Sequence, residues 1–161
     1  MTIHSTTLNT AKDKDFMTLF RQYFKGFSME APPALFDMIE KDTQTYDHKI
    51  IMLYEDTLPI GFCMFQIDTP ENPWCMKVGA GDIRELFIVP THRKQGHGST
   101  LINQVKQYCL DKGVEEILLT SDAHESFWAS NGFYPTGDIH PGNDGPIYRC
   151  MLDKTAPTKD H

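Results

Sequence analysis

The stretch Leu86-Phe87-Ile88-Val89-Pro90-Thr91-His92-Arg93-Lys94-Gln95-Gly96-His97-Gly98-Ser99 joins two segments of different periodicity. Residues 83–89 form a short apolar run that predicts a strand, and residues 98–112 carry one apolar stripe that predicts a helix closed by Gly113. A helix start presents unpaired backbone N–H groups, and glycines let an anion approach them closely. The stretch therefore predicts either a phosphate-binding turn or, as the alternative, a solvated loop before a glycine-rich helix start.

Two common phosphate-binding motifs are excluded by inspection. The P-loop ends in Gly-Lys-Ser or Gly-Lys-Thr, and neither tripeptide occurs in the sequence. The dinucleotide fingerprint requires a third glycine three residues after Gly98, where this chain has Leu101. If this turn binds a pyrophosphate, it does so through a motif other than these two.

Strands and helices are predicted on both sides of this turn. Residues 114–120 predict a buried strand, which a crossover through the helix would place parallel to the strand at 83–89. Upstream, Asp13 or Asp15 is expected to cap a helix that ends at Gly26, and prolines after Ala31 start a second helix. The remaining predicted elements are strands at 3–8, 49–54, 60–67, 133–136 and 147–152, and a helix at 125–131.

Composition limits the classes of function. The 161 residues correspond to one domain, and the net charge of −7 disfavours nucleic acid as a partner. No apolar run approaches the roughly 20 residues that cross a bilayer, and residues 1–15 lack the apolar core of a signal peptide. The four cysteines form no C-x-x-C pair, so no metal site is expected. We expect a cytoplasmic protein with reduced thiols, and no membrane partner.

Three segments are informative together: Leu86-Phe87-Ile88-Val89-Pro90, Arg93-x-x-Gly96-x-Gly98, and about thirty residues later Phe127-Trp128-Ala129-Ser130-Asn131-Gly132-Phe133. In the order and spacing of these segments the sequence resembles the GCN5-related N-acetyltransferase (GNAT) superfamily. This resemblance implies a mixed α/β fold with a twisted, mostly antiparallel sheet of six to seven strands, one splayed parallel pair and about four helices. From the length and the character of the last stretch we expect a single domain of this fold over residues 1–153, followed by a flexible tail at 154–161.

The resemblance also implies a site for acetyl-CoA as co-substrate, without a metal. Backbone N–H groups from Lys94 to Ser99 would hold the pyrophosphate, and the edge of the strand would pair with the pantetheine arm. A backbone N–H near Ile88 would polarise the thioester carbonyl. The implied cofactor-binding residues are Phe87, Ile88, Val89, Arg93, Lys94, Gln95, Gly96, His97, Gly98 and Ser99.

Glu85 is the expected proton acceptor for an attacking amine, because only the neutral amine has a free electron pair. Its alternative interpretation is an edge-strand glutamate paired with Arg84 or another cation. Trp128 occupies the position where many family members carry a tyrosine that protonates the leaving thiolate, and an indole does not titrate usefully. Trp128 is therefore either a substitute at the catalytic centre or a packing residue beside the pantetheine sulfur.

The expected activity is acetyl transfer from acetyl-CoA to a primary amine of a small molecule or peptide, by direct attack in a ternary complex. The alternative is a non-catalytic acyl-CoA-binding regulatory module of the same fold. The acceptor is not specified by the motifs, although Asp68, Glu71 and Asp82, together with Trp74, are candidates for contact with a cationic amine. A homodimer is left open.

Overall fold

The computed structural model describes residues 1–153, so the tail predicted at 154–161 lies outside the described residues. Its strands are β1 (Ile3–Leu8), β2 (His48–Glu55), β3 (Leu58–Ile67), β4 (Gly81–Ile88), β5 (Glu116–Thr120), β6 (Tyr134–Ile139) and β7 (Pro146–Met151). Its helices are α1 (Lys14–Lys25), α2 (Pro33–Thr45), α3 (His97–Asp111) and α4 (Glu125–Ser130), with a short 3-10 turn at Pro90–His92.

The seven strands form one sheet in the order β1-β2-β3-β4-β5-β7-β6. Only the β4–β5 pair is parallel, and the other neighbouring pairs are antiparallel. The seven-stranded mixed sheet and the four α-helices confirm the predicted fold class. The last strand along the chain, β7, lies between β5 and β6.

The parallel pair separates almost at once. β4 and β5 are in register only at Gly81 with Ile117 and at Asp82 with Leu118, near the start of both strands. Beyond Asp82 the edge of β4 that faces β5 has no strand partner. The expected splayed pair is confirmed, and it leaves a wedge-shaped opening in the middle of the sheet.

The two faces of the sheet carry separate hydrophobic clusters. On one face, α1 and α2 pack on β2 and β3 through buried side chains that include Phe16, Phe20, Phe36 and Phe62. The other face is covered by α3 and α4, with buried side chains that include Leu101, Val105, Cys109, Trp128 and Phe133. Asp13 caps α1 by accepting a hydrogen bond from the Phe16 backbone N–H at 3.0 Å, as its position predicts.

A β-bulge in β4 changes the face of the sheet on which its later side chains lie. Glu85 is paired with Met64 of β3, and Ile83 is paired with Phe65, so Arg84 is an extra residue in β4. In a regular strand Ile83 and Glu85 would share a face, because side chains alternate. Here Ile83 packs with the α3 cluster, whereas Glu85 bonds to Tyr23 of α1 on the opposite face.

Among residues 1–153, no helix is long and apolar enough to span a membrane.

The contact between β3 and β4 beside the opening is too close for a side chain at position 61. A Cβ at Gly61 would lie 2.6 Å from Ile88 Cδ1 and 2.7 Å from the Phe87 carbonyl oxygen. We expect Gly61→Ala to lower the free energy of unfolding by about 1–3 kcal/mol, because backbone must move to accept the methyl group. Urea denaturation measures this change.

Gly26→Ala is the matched control, since Gly26 has right-handed helical geometry and its nearest atom, Tyr23 O, lies 3.2 Å from the added Cβ. It should change the free energy of unfolding by less than about 1 kcal/mol. Equal losses in the two variants would contradict the close approach of β3 to β4.

Candidate active site

The larger of two adjoining cavities, of about 770 Å³, lies between the end of β4 and the start of α3. One wall is the strand end, with Leu86, Phe87 and Ile88, and the other is the turn that leads into α3. Tyr23 and Phe27, from the end of α1 and the residues after it, close the cavity on one side, and Phe127 closes it on the other. The cavity thus lies where the sequence predicts an anion-binding helix start.

The turn before α3 has a backbone shape that few residue types adopt easily. Lys94 and Gly96 both have positive φ angles, of 61° and 86°. Gly96 is the N-cap of α3 and provides no side-chain acceptor for the first turn, in which the first helical hydrogen bond runs from Thr100 N to Gly96 O. The N–H groups of the first turn therefore remain available to an anion in the cavity.

The lack of a side chain at Gly98 allows Phe127 to pack against the helix start and leaves the helix start open to the cavity. A Cβ at this position would lie 3.0 Å from Phe127 Cζ. Phe127 lines the cavity, so a side chain at Gly98 would displace a cavity wall. The absence of a side chain here brings α4 close to the first turn of α3.

The free edge of β4 at Ile88 faces the opening in the sheet. The Val89 N–H donates to Ile60 O of β3 at 2.9 Å, and successive peptide groups along a strand point to opposite sides. The N–H and carbonyl of Ile88 therefore point away from β3. In agreement, Arg93 reaches back to donate its Nε–H to Ile88 O at 2.8 Å, with its guanidinium 5.7 Å from the centre of the Phe87 ring.

A second cavity, of about 320 Å³, adjoins the first. It is bounded by β4 from Ile83 to Leu86, by the end of β5 with the loop that follows, and by Trp128. The two cavities share Tyr23, Phe27, Leu86, His124 and Phe127. The splayed strands thus have one cavity for a long ligand and a smaller one beside it, with common walls between them.

Tyr23, which lines both cavities, forms a hydrogen-bonded pair with Glu85, which lines the second. The Tyr23 hydroxyl donates to Glu85 Oε2, which joins α1 to β4. Burial raises the pKa of Glu85 above its ordinary value, and the hydrogen bond from Tyr23 and the charge of Arg84 oppose that rise. Burial, together with the negative charge of Glu85, raises the pKa of Tyr23, so the phenol stays protonated.

Trp128 is a buried residue of α4. Its ring makes edge contacts with Phe127 and Phe133, at centroid distances of 4.9 and 5.7 Å. Its indole N–H donates to Ser121 Oγ at 3.1 Å. Although Trp128 borders the second cavity, its polar atom is directed to a protein group.

Most of the residues expected to bind the cofactor line the larger cavity. These are Phe87, Ile88, Arg93, Lys94, Gly96, His97, Gly98 and Ser99. Val89 is directed to β3 through its N–H and packs against both hydrophobic clusters, and Gln95 donates from its side chain to Thr91 O at 3.4 Å. Neither of these two residues lines the cavity.

The sequence assigns neither Phe27 nor Phe127 to a cavity wall. Tyr23 belongs to an aromatic set expected to be mostly core with some contact to substrate, and His124 is expected to be a surface residue near the site. Tyr23 lies on the apolar stripe of α1 and looks like a core residue there, but its hydroxyl marks it as a side chain that needs a polar partner when buried. His124 has a left-handed φ of 64° at the start of α4, which no sequence pattern indicates.

Two of the acidic residues considered for contact with a cationic amine are buried. Asp68 and Asp82 are 1% and 3% exposed. Asp68 accepts hydrogen bonds from Gln66 Nε2 and from the backbone N–H groups of Met76 and Lys77, so it shapes the loop between β3 and β4. Neither carboxyl group lies on a surface open to an acceptor, and the expectation is wrong for both.

The chain belongs to the acetyltransferase (GNAT) family, because the model of that family matches residues 14–134, more than half of the sequence. The match spans both faces of the sheet, from α1 to the first residue of β6. No curated protein sequence matches the chain.

Solved structures share the fold at low sequence identity. The Tetrahymena GCN5 structure is 16% identical, with a TM-score of 0.65 over 95% of this chain and 98% of its own. The PaiA N-acetyltransferase from Thermoplasma acidophilum, in complex with coenzyme A, is 15% identical, with a TM-score of 0.64 over 94% and 99%. A ribosomal-protein alanine N-acetyltransferase from Escherichia coli is 12% identical, with a TM-score of 0.66 over 99% and 100%.

The hydrogen bond from Tyr23 stabilises the charged form of Glu85, so removal of the Tyr23 hydroxyl should shift the pKa of Glu85 in a known direction. We expect Tyr23→Phe to raise the pKa of Glu85 further, because one of the two causes that lower it is lost. Carbon-13 NMR of the glutamate carboxyl groups, followed against pH, measures this pKa, and Glu85→Gln assigns the signal.

Tyr134→Phe serves as the control, because Tyr134 is 60% exposed and lines neither cavity. It should leave the Glu85 titration unchanged. An unchanged or lowered pKa in Tyr23→Phe would show that the hydroxyl does not donate to this carboxylate in solution.

Proposed function

We propose that the chain is an N-acetyltransferase that transfers the acetyl group of acetyl-CoA to a primary amine. The observation that carries this proposal is the pair of adjoining cavities at the splayed strands, with the hydrogen-bonded residues Tyr23 and Glu85 in their walls. Family membership supports the acetyl transfer, and residues 1–153 are proposed to form the single domain that performs it.

The larger cavity is proposed to bind the coenzyme A part of the donor. The N-terminus of α3 and the glycines of the turn suit a pyrophosphate, since the backbone donors are free and the helix dipole favours an anion there. Arg93 and Lys94 add positive charge in an acidic chain. The free edge of β4 suits the amide groups of the pantetheine arm, which would add to the sheet like a short strand.

Glu85 is the proposed proton acceptor in the transfer. The amine nitrogen forms a bond with the acetyl carbon, the bond from that carbon to sulfur breaks, and the amine proton passes to the Glu85 carboxylate directly or through water. The raised pKa of Glu85 makes it a better proton acceptor than an ordinary carboxylate. The N–H of Ile88 faces the opening and is proposed to stabilise the charge that develops on the acetyl oxygen.

The leaving thiolate is proposed to depart without a dedicated acid. Trp128 supplies packing, and its N–H is already bound to Ser121. A thiol with a pKa near 8.5 is an acceptable leaving group as the thiolate, and water can protonate it afterwards.

The tryptophan at position 128, which replaces a titratable tyrosine and whose N–H is bound to Ser121, favours one competing function, an acyl-CoA-binding module without turnover. Such a module would need the larger cavity but no proton acceptor in the second. An acetyl-CoA-dependent thiol-release screen over amino acids, polyamines, aminoglycosides and peptides separates the two functions. Coenzyme A binding with no thiol release from any acceptor would favour the module.

Coenzyme A binding tests the larger cavity. Gly96→Leu should raise the dissociation constant of coenzyme A at least about tenfold, equivalent to about 1.4 kcal/mol, because the side chain enters the cavity at the helix start. Isothermal titration calorimetry measures it.

Gly113→Leu is the matched control, since Gly113 also has a positive φ, of 76°, but lies beyond the other end of α3. Both variants carry the same kind of backbone strain, and only Gly96 borders the cavity. Equal dissociation constants in two folded variants would remove the helix start from the binding site.

Turnover tests Glu85. Glu85→Gln keeps the shape of the side chain but cannot accept a proton, so it should lower turnover about a hundredfold near neutral pH and recover part of it in alkaline buffer. Coenzyme A affinity should stay unchanged. Glu125→Gln, an exposed glutamate of α4 that lines neither cavity, should leave the pH profile as it is. Normal turnover of Glu85→Gln from about pH 6 to 9 would eliminate Glu85 as the base.

A further inference from the structure

We propose that the second cavity accepts an amine that also carries a carboxylate, and that Arg84 binds this carboxylate. The inference rests on the proposed function, because it names the acceptor class for the same site. Such an acceptor is zwitterionic near neutral pH, whereas the acidic residues Asp68, Glu71 and Asp82 suggested a cationic amine.

Arg84 is placed in the second cavity by the bulge in β4. It is half-buried, lines the cavity, and donates from Nη1 to Gln66 Oε1 at 3.3 Å. Gln66 follows Met64 by two residues on β3, on the face covered by α1 and α2. Arg84 and Glu85 are therefore consecutive residues whose side chains lie on the same face.

Most N–H donors of the Arg84 guanidinium have no hydrogen-bond acceptor within residues 1–153. Arginine has five N–H donors, and Gln66 is a neutral partner that uses one of them. Within residues 1–153, none of the salt bridges involves Arg84. A planar guanidinium with free donors matches the two oxygens of a carboxylate, and Arg84 is one of the residues that line the second cavity.

Burial shifts the pKa values of several ionisable groups around Arg84 toward their neutral forms. Burial and the neighbouring Asp68 raise the pKa of Asp82 well above its ordinary value, which favours the neutral acid. Burial lowers the pKa of His48 to about 4, so this histidine is neutral near pH 7. Burial also raises the pKa of Asp42 and of Glu85.

The position of Arg84 is fixed before any ligand binds. Its guanidinium carbon lies 5.4 Å from the centre of the Trp74 ring. Trp74 belongs to the β3–β4 loop, which Asp68 holds through the backbone N–H groups of Met76 and Lys77. A pre-positioned donor binds with a smaller loss of side-chain entropy than a mobile one.

The neighbouring residue Glu85 sets the orientation and charge of the acceptor. The Glu85 carboxylate attracts the amine of the acceptor. The acceptor's own carboxylate is therefore directed to Arg84. A single negative charge fits better than a dianionic phosphate, because the one guanidinium offsets one charge and the Glu85 carboxylate would repel a second. A cavity of about 320 Å³ suits a molecule of amino-acid size.

The experiment compares acceptors that differ only in the acidic group. The probes are α- and ω-amino acids, each matched with its own carboxamide, together with short diamines and phosphoethanolamine. We expect the acids to have kcat/KM values at least about tenfold above those of their amides. Arg84→Gln should remove this preference through KM for the acids, whereas kcat should change to the same extent for acids and amides, because the variant also removes a charge that lowers the pKa of Glu85.

Arg21→Gln is the matched control, because Arg21 also lies over an aromatic ring, that of Phe36, but lines neither cavity. It should keep the preference for acids. Preference for amides, diamines or phosphoethanolamine, or an unchanged preference in Arg84→Gln, would overturn the inference.

A binding measurement separates this inference from the proposed function. Titration of the same amino acids should change the fluorescence of Trp74, with Trp74→Phe to assign the signal, and Arg84→Gln should abolish the change. Carboxylate binding with no acetyl transfer to any acceptor of the thiol-release screen would refute the proposed function alone. Acetyl transfer to amines without carboxylate binding at Trp74 would refute the inference alone.

Discussion

The geometry of the site depends on one extra residue in β4. The bulge at Arg84 interrupts the alternation of side chains, so that Ile83 stays in the core under α3 while Glu85 moves to the face covered by α1. Without that interruption, Glu85 would be directed into an apolar cluster, and Tyr23 would have no carboxylate to bind. The bulge thus joins the two halves of the molecule beside the two cavities.

The early separation of β4 from β5 acts together with the bulge. Two residue pairs hold the parallel strands together, and after them the backbone of β4 has a free edge. The polar groups of that edge need partners other than a strand, because buried backbone groups are costly when unpaired, and Arg93 supplies one of them to Ile88 O. The sheet is therefore completed at its centre by whatever occupies the cavity, and the proposed pantetheine arm has the hydrogen-bonding groups to do so.

The sequence predicts the parts of the fold that depend on local periodicity. The strand before the turn, the helix from His97 and its end before Gly113 follow from apolar spacing and glycine positions, and each lies within a few residues of its prediction. The glycine-rich turn also predicts the place of the larger cavity. These features are set within about 30 residues of chain.

Other features depend on contacts between distant residues and leave no local pattern. Tyr23 and Glu85 are 62 residues apart, and nothing in the spacing of α1 separates Tyr23 from its apolar neighbours. The bulge at Arg84 is defined by the register with β3, which a single strand does not reveal. Asp68 follows a strand and precedes a loop rich in proline and glycine, so its burial is not apparent before the loop is seen to fold around it.

The strand order has a consequence for synthesis on the ribosome. Because β7 lies between β5 and β6, β6 has no sheet neighbour until residues 146–151 have left the exit tunnel. Up to that point the nascent chain exposes one edge of β5 and all of β6, and exposed edges are where chains aggregate. Strands β1 to β4 have all been synthesised by then. A stalled or truncated chain would thus carry an exposed strand edge, which is the kind of surface that chaperones and proteases act on.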